Sequence, residues 1–101
     1  MALTLKAVTS CIGYQQITSL SAAAGLTVPA VDKLGNQQEP TFALIIAEGK
    51  DVRWRDDGTD PTASVGMPLA VGVPLQYDGD LNRIRFIETA ASAKINISYY
   101  A

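Results

Sequence analysis

Residues 52–66 read V-R-W-R-D-D-G-T-D-P-T-A-S-V-G, and they join an alternating segment to a long polar turn. In a β-strand, Val52 and Trp54 share one face of the sheet. Arg53 and Arg55 then share the opposite face. The Asp, Gly and Pro residues that follow end the strand, because Asp caps backbone amides, Gly accepts positive φ and Pro cannot donate to a ladder. The stretch therefore predicts a sheet with an apolar inner face and a basic outer face.

Strand signals continue on both sides of this stretch. Residues 41–48 are an almost continuous apolar run, which predicts a strand buried on both faces. Residues 48–51 predict a hairpin connection into the next strand. Residues 81–88 and 94–100 alternate apolar with polar side chains and predict two further strands. The Asp-Gly pair at 78–79 marks a tight turn before the first of them.

The N-terminal half gives weaker signals. Residues 2–8 alternate loosely and predict an edge strand, whereas residues 14–20 are richer in strand formers. Residues 21–24 could form one helical turn ended by Gly25, but the run is too short to stand as a helix. Residues 31–40 are polar without any period and predict a mobile loop.

Turn signals recur about every ten residues, and no helical pattern reaches three turns. Residues 65–75 carry two Gly and two Pro in an apolar background, which indicates short strands that bend round a corner. We therefore predict an all-β fold, an antiparallel β-sandwich or jelly-roll-like barrel of about eight short strands, with residues 1–101 in one domain. The expected core residues are Phe42, Leu44, Ile46, Val52, Trp54, Ile84, Phe86, Ile95 and Ile97.

The composition limits the classes of partner. The chain of 101 residues is 48% hydrophobic and 18% charged, with a formal net charge of −2. This balance argues against disorder and leaves apolar surface for a protein partner, including further copies of the chain. It also argues against binding to nucleic acid or an anionic membrane, since both depend on positive potential. Residues 1–12 lack the pattern of a signal peptide, and no stretch is long enough to span a membrane.

The residue types needed for catalysis are mostly missing from the sequence. There is no histidine, which removes the commonest general base and metal ligand. Cys11 is the single cysteine, so it cannot form an internal disulfide, and we expect it to be a small buried apolar residue. No catalytic triad, CxxC pair or phosphate-binding glycine motif is present. We therefore expect a protein that is not an enzyme and that needs no cofactor.

Half of the eight Lys and Arg residues lie in two alternating segments; these are Arg53, Arg55, Arg83 and Arg85. On neighbouring strands they would form one patch that docks a carboxylate-rich partner or a phosphate, because guanidinium groups suit both. The alternative is a solvated outer face of paired charges, which is the usual arrangement on the open side of a sheet. The acidic residues available for that pairing are Asp51, Asp56, Asp57, Asp80 and Glu88.

The turn at 56–60 places three carboxylates close together. Calcium would suit such oxygen ligands, but the spacing differs from that of an EF-hand loop, and capping of turn amides by Asp explains the same residues without a metal. A glycosidase-like pair could be drawn from Asp57, Asp60 and Glu88, yet nothing in the sequence selects one pair. We therefore expect no metal site and no catalytic carboxylates.

Four segments of the chain carry a resemblance to a known group of proteins. They are Y-Q-Q-I-T-S-L at 14–20, V-R-W-R-D-D-G-T-D-P-T-A-S-V-G-M-P-L at 52–69, Y-D-G-D-L-N-R-I-R-F-I at 77–87 and I-N-I-S-Y-Y at 95–100. The chain resembles small virion structural proteins of tailed bacteriophages that are encoded among head genes. The resemblance implies a decoration or cement protein of the virion that binds the major capsid protein or another virion protein, as a homo-oligomer and possibly a trimer.

The expected partner-binding residues are Arg53, Arg55, Asp56, Asp57, Asp60, Arg83 and Arg85, with a second contact at 32–39. The alternative from a different class is a small carbohydrate-binding module, or one associated with the tail or connector, that uses Trp54 or a tyrosine as a stacking platform. Burial of Trp54 beside Val52 would remove the best residue for sugar stacking. Of the adjacent Tyr99 and Tyr100, one is expected to face the core and the other the surface.

Overall fold

The structure is a computed structural model, and it describes residues 10–30 and 39–101. These residues form eight strands, namely β1 (Cys11–Ile17), β2 (Ala24–Gly25), β3 (Phe42–Glu48), β4 (Val52–Arg55), β5 (Met67–Leu69), β6 (Leu75–Tyr77), β7 (Arg85–Glu88) and β8 (Lys94–Tyr100). No described residue lies in a helix. The strand predicted at 2–8 and most of the loop predicted at 31–40 lie outside the described residues.

The strands form two antiparallel sheets. Sheet A has the order β1-β8-β3-β6, and sheet B has the order β2-β7-β4-β5. The two sheets share one apolar core, to which both contribute side chains. The prediction of an all-β, sandwich-like fold of eight short strands is confirmed.

Almost every connection carries the chain from one sheet to the other. β4 and β5 are the one consecutive pair among the eight strands that hydrogen-bond to each other. The predicted hairpin at 48–51 is wrong, because β3 already has β8 and β6 as its neighbours and β4 joins sheet B. The turn residues at this point reverse the chain without pairing the strands that they join.

The corner predicted at 65–75 is confirmed. β5 ends at Leu69 in sheet B, and β6 begins at Leu75 in sheet A. Gly72 lies in this corner with φ of 80°, and its amide donates to the carbonyl of Ala47 at 3.0 Å. This hydrogen bond connects the corner to the end of β3.

The core confirms five of the predicted residues as buried, which are Val52, Ile84, Phe86, Ile95 and Ile97. Trp54 is partly buried and packs against them. In β3 the prediction is wrong, since the inward positions are the odd-numbered ones occupied by Ala43, Ile45 and Ala47. The predicted residues of that strand, Phe42, Leu44 and Ile46, lie half-buried on the outer face. Both sets are apolar, so alternation could not select the face, which is fixed by pairing with β8.

Three short segments differ from their sequence-based expectations. The strand predicted at 14–20 is present, but as β1 it begins and ends three residues earlier and has a bulge between Cys11 and Gly13 in its pairing with β8. Cys11, expected to be buried, is exposed on β1, an edge strand of sheet A. Residues 21–24 make no helical turn, and Ala24 with Gly25 forms β2, which pairs with β7.

Tyr77 of β6 connects the two sheets. The hydroxyl of its buried side chain donates to Asp56 Oδ2, which follows β4, at 2.6 Å, in a partly buried site. Its ring meets the ring of Trp54 edge-on, with the centroids 5.8 Å apart. Burial, and then the hydrogen bond to the carboxylate of Asp56, raises the pKa of Tyr77 above its ordinary value. The ring and hydroxyl therefore join sheet A to the end of β4.

Removal of the Tyr77 hydroxyl should destabilise the fold. We expect Tyr77→Phe to lower the free energy of unfolding by about 1–2 kcal/mol, because a hydrogen bond to a charged acceptor is lost in a partly buried site. Urea denaturation measures this difference. Tyr100→Phe is the matched control, since Tyr100 stacks on Phe42 through its ring and should change stability by less than about 0.5 kcal/mol. Equal effects of the two substitutions would contradict the role given to the hydroxyl.

A comparison of substitutions at Gly49 and Gly72 distinguishes the cost of backbone strain from the cost of a steric clash. Both have positive φ, but a Cβ on Gly49 would lie 2.8 Å from the carbonyl oxygen of Ser92, whereas a Cβ on Gly72 would meet nothing within 4 Å. We expect Gly72→Ala to cost about 1 kcal/mol from φ alone, and Gly49→Ala to cost about 2–4 kcal/mol. Thermal or urea unfolding of the two variants tests the order, which a larger loss at Gly72 would contradict.

Candidate binding site

The loop that follows β4 lies over the outer face of sheet B, and the arginines of that face hold it. Alternation places Arg53 and Arg55 outward, opposite Val52 and Trp54, as the sequence predicts. Arg55 is directly paired with Arg85 in the register of β4 and β7. The cross-strand patch predicted from the sequence therefore forms for these three arginines.

Arg53 supports the far part of the loop. Its Nε donates to the carbonyl of Ala63 at 3.2 Å, and its Nη1 donates to the carbonyl of Gly66 at 2.9 Å. Thr62 and Val65 close the same turn with two backbone hydrogen bonds. Because the guanidinium satisfies loop carbonyls, the main work of Arg53 within the described structure is to shape this loop.

Arg55 and Asp57 form a two-point ion pair. Nε lies 3.0 Å from Oδ1, and Nη2 lies 2.5 Å from Oδ2. The hydrogen bond from Arg55 lowers the pKa of Asp57 to about 2. Asp57 Oδ1 also accepts from the amide of Thr59 at 3.4 Å, which is the turn-capping contact expected for this loop.

Arg85 and Arg83 approach the middle of the loop. Arg85 Nε lies 3.2 Å from Asp60 Oδ1 in an ion pair whose N–H is not aligned for a hydrogen bond, and its Nη2 donates to the carbonyl of Ala23 at 3.0 Å. Arg83 is exposed in a turn before β7 rather than in the strand predicted for it. Its guanidinium lies against Gly58, and it forms no ion pair with a described residue.

The seven predicted binding residues thus lie around one loop, although the side chain of one of them, Asp56, points away from the others. Asp56 turns toward Tyr77 and serves the contact between the sheets. The alternative interpretation expected these arginines to pair with a set of five acidic residues. Among the described residues, Asp57 is the one member of that set that forms such an ion pair, with Arg55. Arg85 pairs instead with Asp60, which was not in the set. Arg55 and Arg85 pair with loop carboxylates and Arg53 binds loop carbonyls, while a role for these charges in binding a partner stays a prediction.

A cleft of about 410 Å³ adjoins this loop. Its lining combines charged and apolar side chains, from Arg55, Asp56, Asp57, Val65, Gly66 and Met67. Val65 and Met67 are 52% and 55% exposed, although both are apolar. Sequence reasoning missed these two residues as site residues. The available signal was the Gly- and Pro-rich apolar run at 65–75, which cannot be buried as a central strand.

The structure also places the residues that the sequence suggested for sugar stacking and metal binding. Trp54 packs against the core and is not available as an open stacking platform. Tyr99 is buried and Tyr100 lies half-buried on the outer face of sheet A, as their adjacency predicts. Across residues 10–30 and 39–101, no three His, Cys, Asp or Glu side chains are grouped to hold a metal ion.

Comparison with known proteins finds no match for this chain among family models, curated proteins or solved structures. In the part of the chain that the structure describes, no helix has the length and apolar character needed to cross a membrane.

The pair of Arg55 and Asp57 makes a prediction about pH. Because the pKa of Asp57 falls from 3.8 to about 2, its contribution to stability is present above pH 3.8 and is lost as the pH falls through 2. We expect Arg55→Gln to raise the pKa of Asp57 toward 3.8, measured by NMR titration of the side-chain carboxyl carbon. Lys50→Gln removes an exposed cation elsewhere and should leave that titration unchanged. An unaltered midpoint in Arg55→Gln would contradict the assigned cause.

Proposed function

We propose that this protein is a non-enzymatic structural protein of a phage virion, a capsid decoration or cement protein that binds and stabilises the head shell. The resemblance of four segments to small virion proteins supports the proposal. The sandwich-like fold is compatible with it, because compact β domains suit attachment to a shell surface. Its place is the virion, with the major capsid protein or another virion protein as partner and with copies of itself as neighbours.

The observation that carries the proposal is the exposed apolar cleft beside the charged loop. Protein interfaces combine an apolar centre with a polar rim, and Met is enriched at such centres. Val65 and Met67 supply the apolar centre. Arg83 lies against Gly58 of the same loop and supplies a cation that forms no ion pair with a described carboxylate. The arginines that are already paired inside the loop hold this surface in one shape before a partner binds.

Binding at this site would act on the shell by mass action. A protein that binds only the assembled shell adds its binding free energy to that state, so it resists dissociation of the coat. Repeated copies gain further from effective concentration, since a lattice holds neighbouring sites close together. A modest contact area on each copy is therefore sufficient.

Met67→Lys tests the cleft. We expect this substitution to weaken binding to emptied head shells by about tenfold or more, because an apolar contact centre gains a charge. Val73→Lys is the matched control, since Val73 is 52% exposed but lies in the corner between β5 and β6. Co-sedimentation with shells measures the affinity. Equal binding of the two variants and the unsubstituted protein would overturn the assignment of this cleft.

A second pair of variants tests the charged rim in the same assay. Arg83→Glu should weaken binding, whereas Lys50→Glu makes the same charge change in the turn between β3 and β4 and should not. Arg53 is unsuitable for this purpose, because it holds the carbonyls of Ala63 and Gly66. Failure of the unsubstituted protein to bind shells at all would overturn the proposed function itself.

A further inference from the structure

The outer face of sheet A carries a polar cluster that is separate from the loop on sheet B. We name it the Tyr14 cluster, and its members are Tyr14, Gln16, Glu48 and Asn96. Asn96 lies at its centre on β8, and its Oδ1 accepts from Tyr14 OH at 2.5 Å and from Gln16 Nε2 at 3.0 Å. Its Nδ2 donates to Glu48 Oε1 at 3.0 Å. The cluster therefore spans β1, β8 and β3.

The hydrogen bond from Tyr14 fixes the direction of its ring. Tyr14 is directly opposite Ser98, so Asn96 is its diagonal neighbour on β8. A tyrosine reaches a diagonal neighbour only when its ring leans along the sheet. One face of the ring then points toward the sheet and the other toward solvent, which agrees with an exposure of 65%.

Tyr14 is the one tyrosine of the four whose ring is open. Tyr77 and Tyr99 are buried, and Tyr100 stacks on Phe42 at a centroid distance of 5.0 Å. Trp54 packs against the core. An open aromatic face with a fixed orientation is the platform on which the apolar face of a sugar ring stacks.

Side-chain groups that can still form hydrogen bonds lie beside the ring of Tyr14. Among contacts with described residues, Gln16 Oε1 and Glu48 Oε2 accept no hydrogen bond, and one N–H of Asn96 donates none. Two acceptors and a donor beside an aromatic face match adjacent hydroxyl groups of a pyranose. Ile46 is paired with Asn96 and adds an apolar surface next to them.

The charges on this face select among sugars. Glu48 is the one ionisable group of the cluster other than the tyrosine, and Lys94 lies directly opposite it on β8. The carboxylate accepts from hydroxyl groups, while the opposite charge of Lys94 beside it offsets its field, so the face gives a charged sugar no advantage over a neutral one.

We propose that the Tyr14 cluster is a binding site for a neutral hexopyranose unit of a polysaccharide, stacked on Tyr14 and hydrogen-bonded to Gln16, Asn96 and Glu48. This inference does not depend on the proposed attachment to capsids, because it concerns the isolated protein and the opposite sheet. The site is an open face rather than a cavity, so a single sugar binds with a Kd of about 1 mM or weaker. Display of many copies would raise the avidity for a polymer.

NMR titration of the isolated protein tests the proposal. The probes are the methyl glycosides of glucose, galactose, mannose and N-acetylglucosamine, each added to about 50 mM, well above the expected Kd. We expect saturable shifts of the side-chain amide signals of Gln16 and Asn96 with at least one probe. Methyl glucuronoside is the charged control and should bind no more tightly than the matching neutral sugar, because Lys94 offsets the charge of Glu48.

Variants of Tyr14 identify the contact. Tyr14→Ala should lose about tenfold or more in affinity because the platform is removed, whereas Tyr14→Phe keeps the ring and should lose only about twofold to fivefold. Unchanged thermal unfolding of both variants shows that the sheet remains intact. The proposal is overturned by absence of shifts with all four probes, or by shifts that persist in Tyr14→Ala. Loss of shell binding in Tyr14→Ala, with no sugar binding, would instead assign the face to a protein contact.

Discussion

The hydrogen bond from the hydroxyl of Tyr77 to Asp56 is the contact on which the candidate site depends. It fixes the first residue after β4 to the neighbouring sheet, at 2.6 Å. The loop beyond it is held by ion pairs of half-exposed and exposed groups, which are weak when the chain between them is free to move. Because the hydrogen bond to Tyr77 already holds the start of the loop, the ion pairs have to offset the conformational entropy of only a short remaining segment.

The arginines of sheet B show how one set of charges can serve two purposes. Arg53 and Arg55 bond within the loop, so their guanidinium groups are already partnered before any ligand arrives. Their contribution to recognition is therefore indirect, through the shape of the cleft beside Val65 and Met67. Arg83 differs, because it remains exposed and without an ion pair among the described residues. Of the four arginines, Arg83 is therefore the one whose guanidinium group is most available to a partner.

Alternation predicted the class of fold, the outward direction of Arg53 and Arg55, and the burial of Ile95 and Ile97. It could not choose the inner face of β3, since Phe42, Leu44 and Ile46 alternate with residues that are equally apolar. Turn residues predicted reversals of the chain but not which sheet the next strand would join, because that depends on distant pairing. The cluster around Asn96 was not visible for the same reason, since β1, β3 and β8 are far apart in sequence.

The order of strands in sheet A has a consequence for how the protein acquires its structure. β8 lies between β1 and β3, although it is the latest of the eight strands to be synthesised. β1 and β3 therefore have no common neighbour until residues 94–100 have left the ribosome. Pairings over such long separations close slowly, and apolar segments such as β3 stay exposed in the meantime. Assembly of this sheet is consequently a late event in folding.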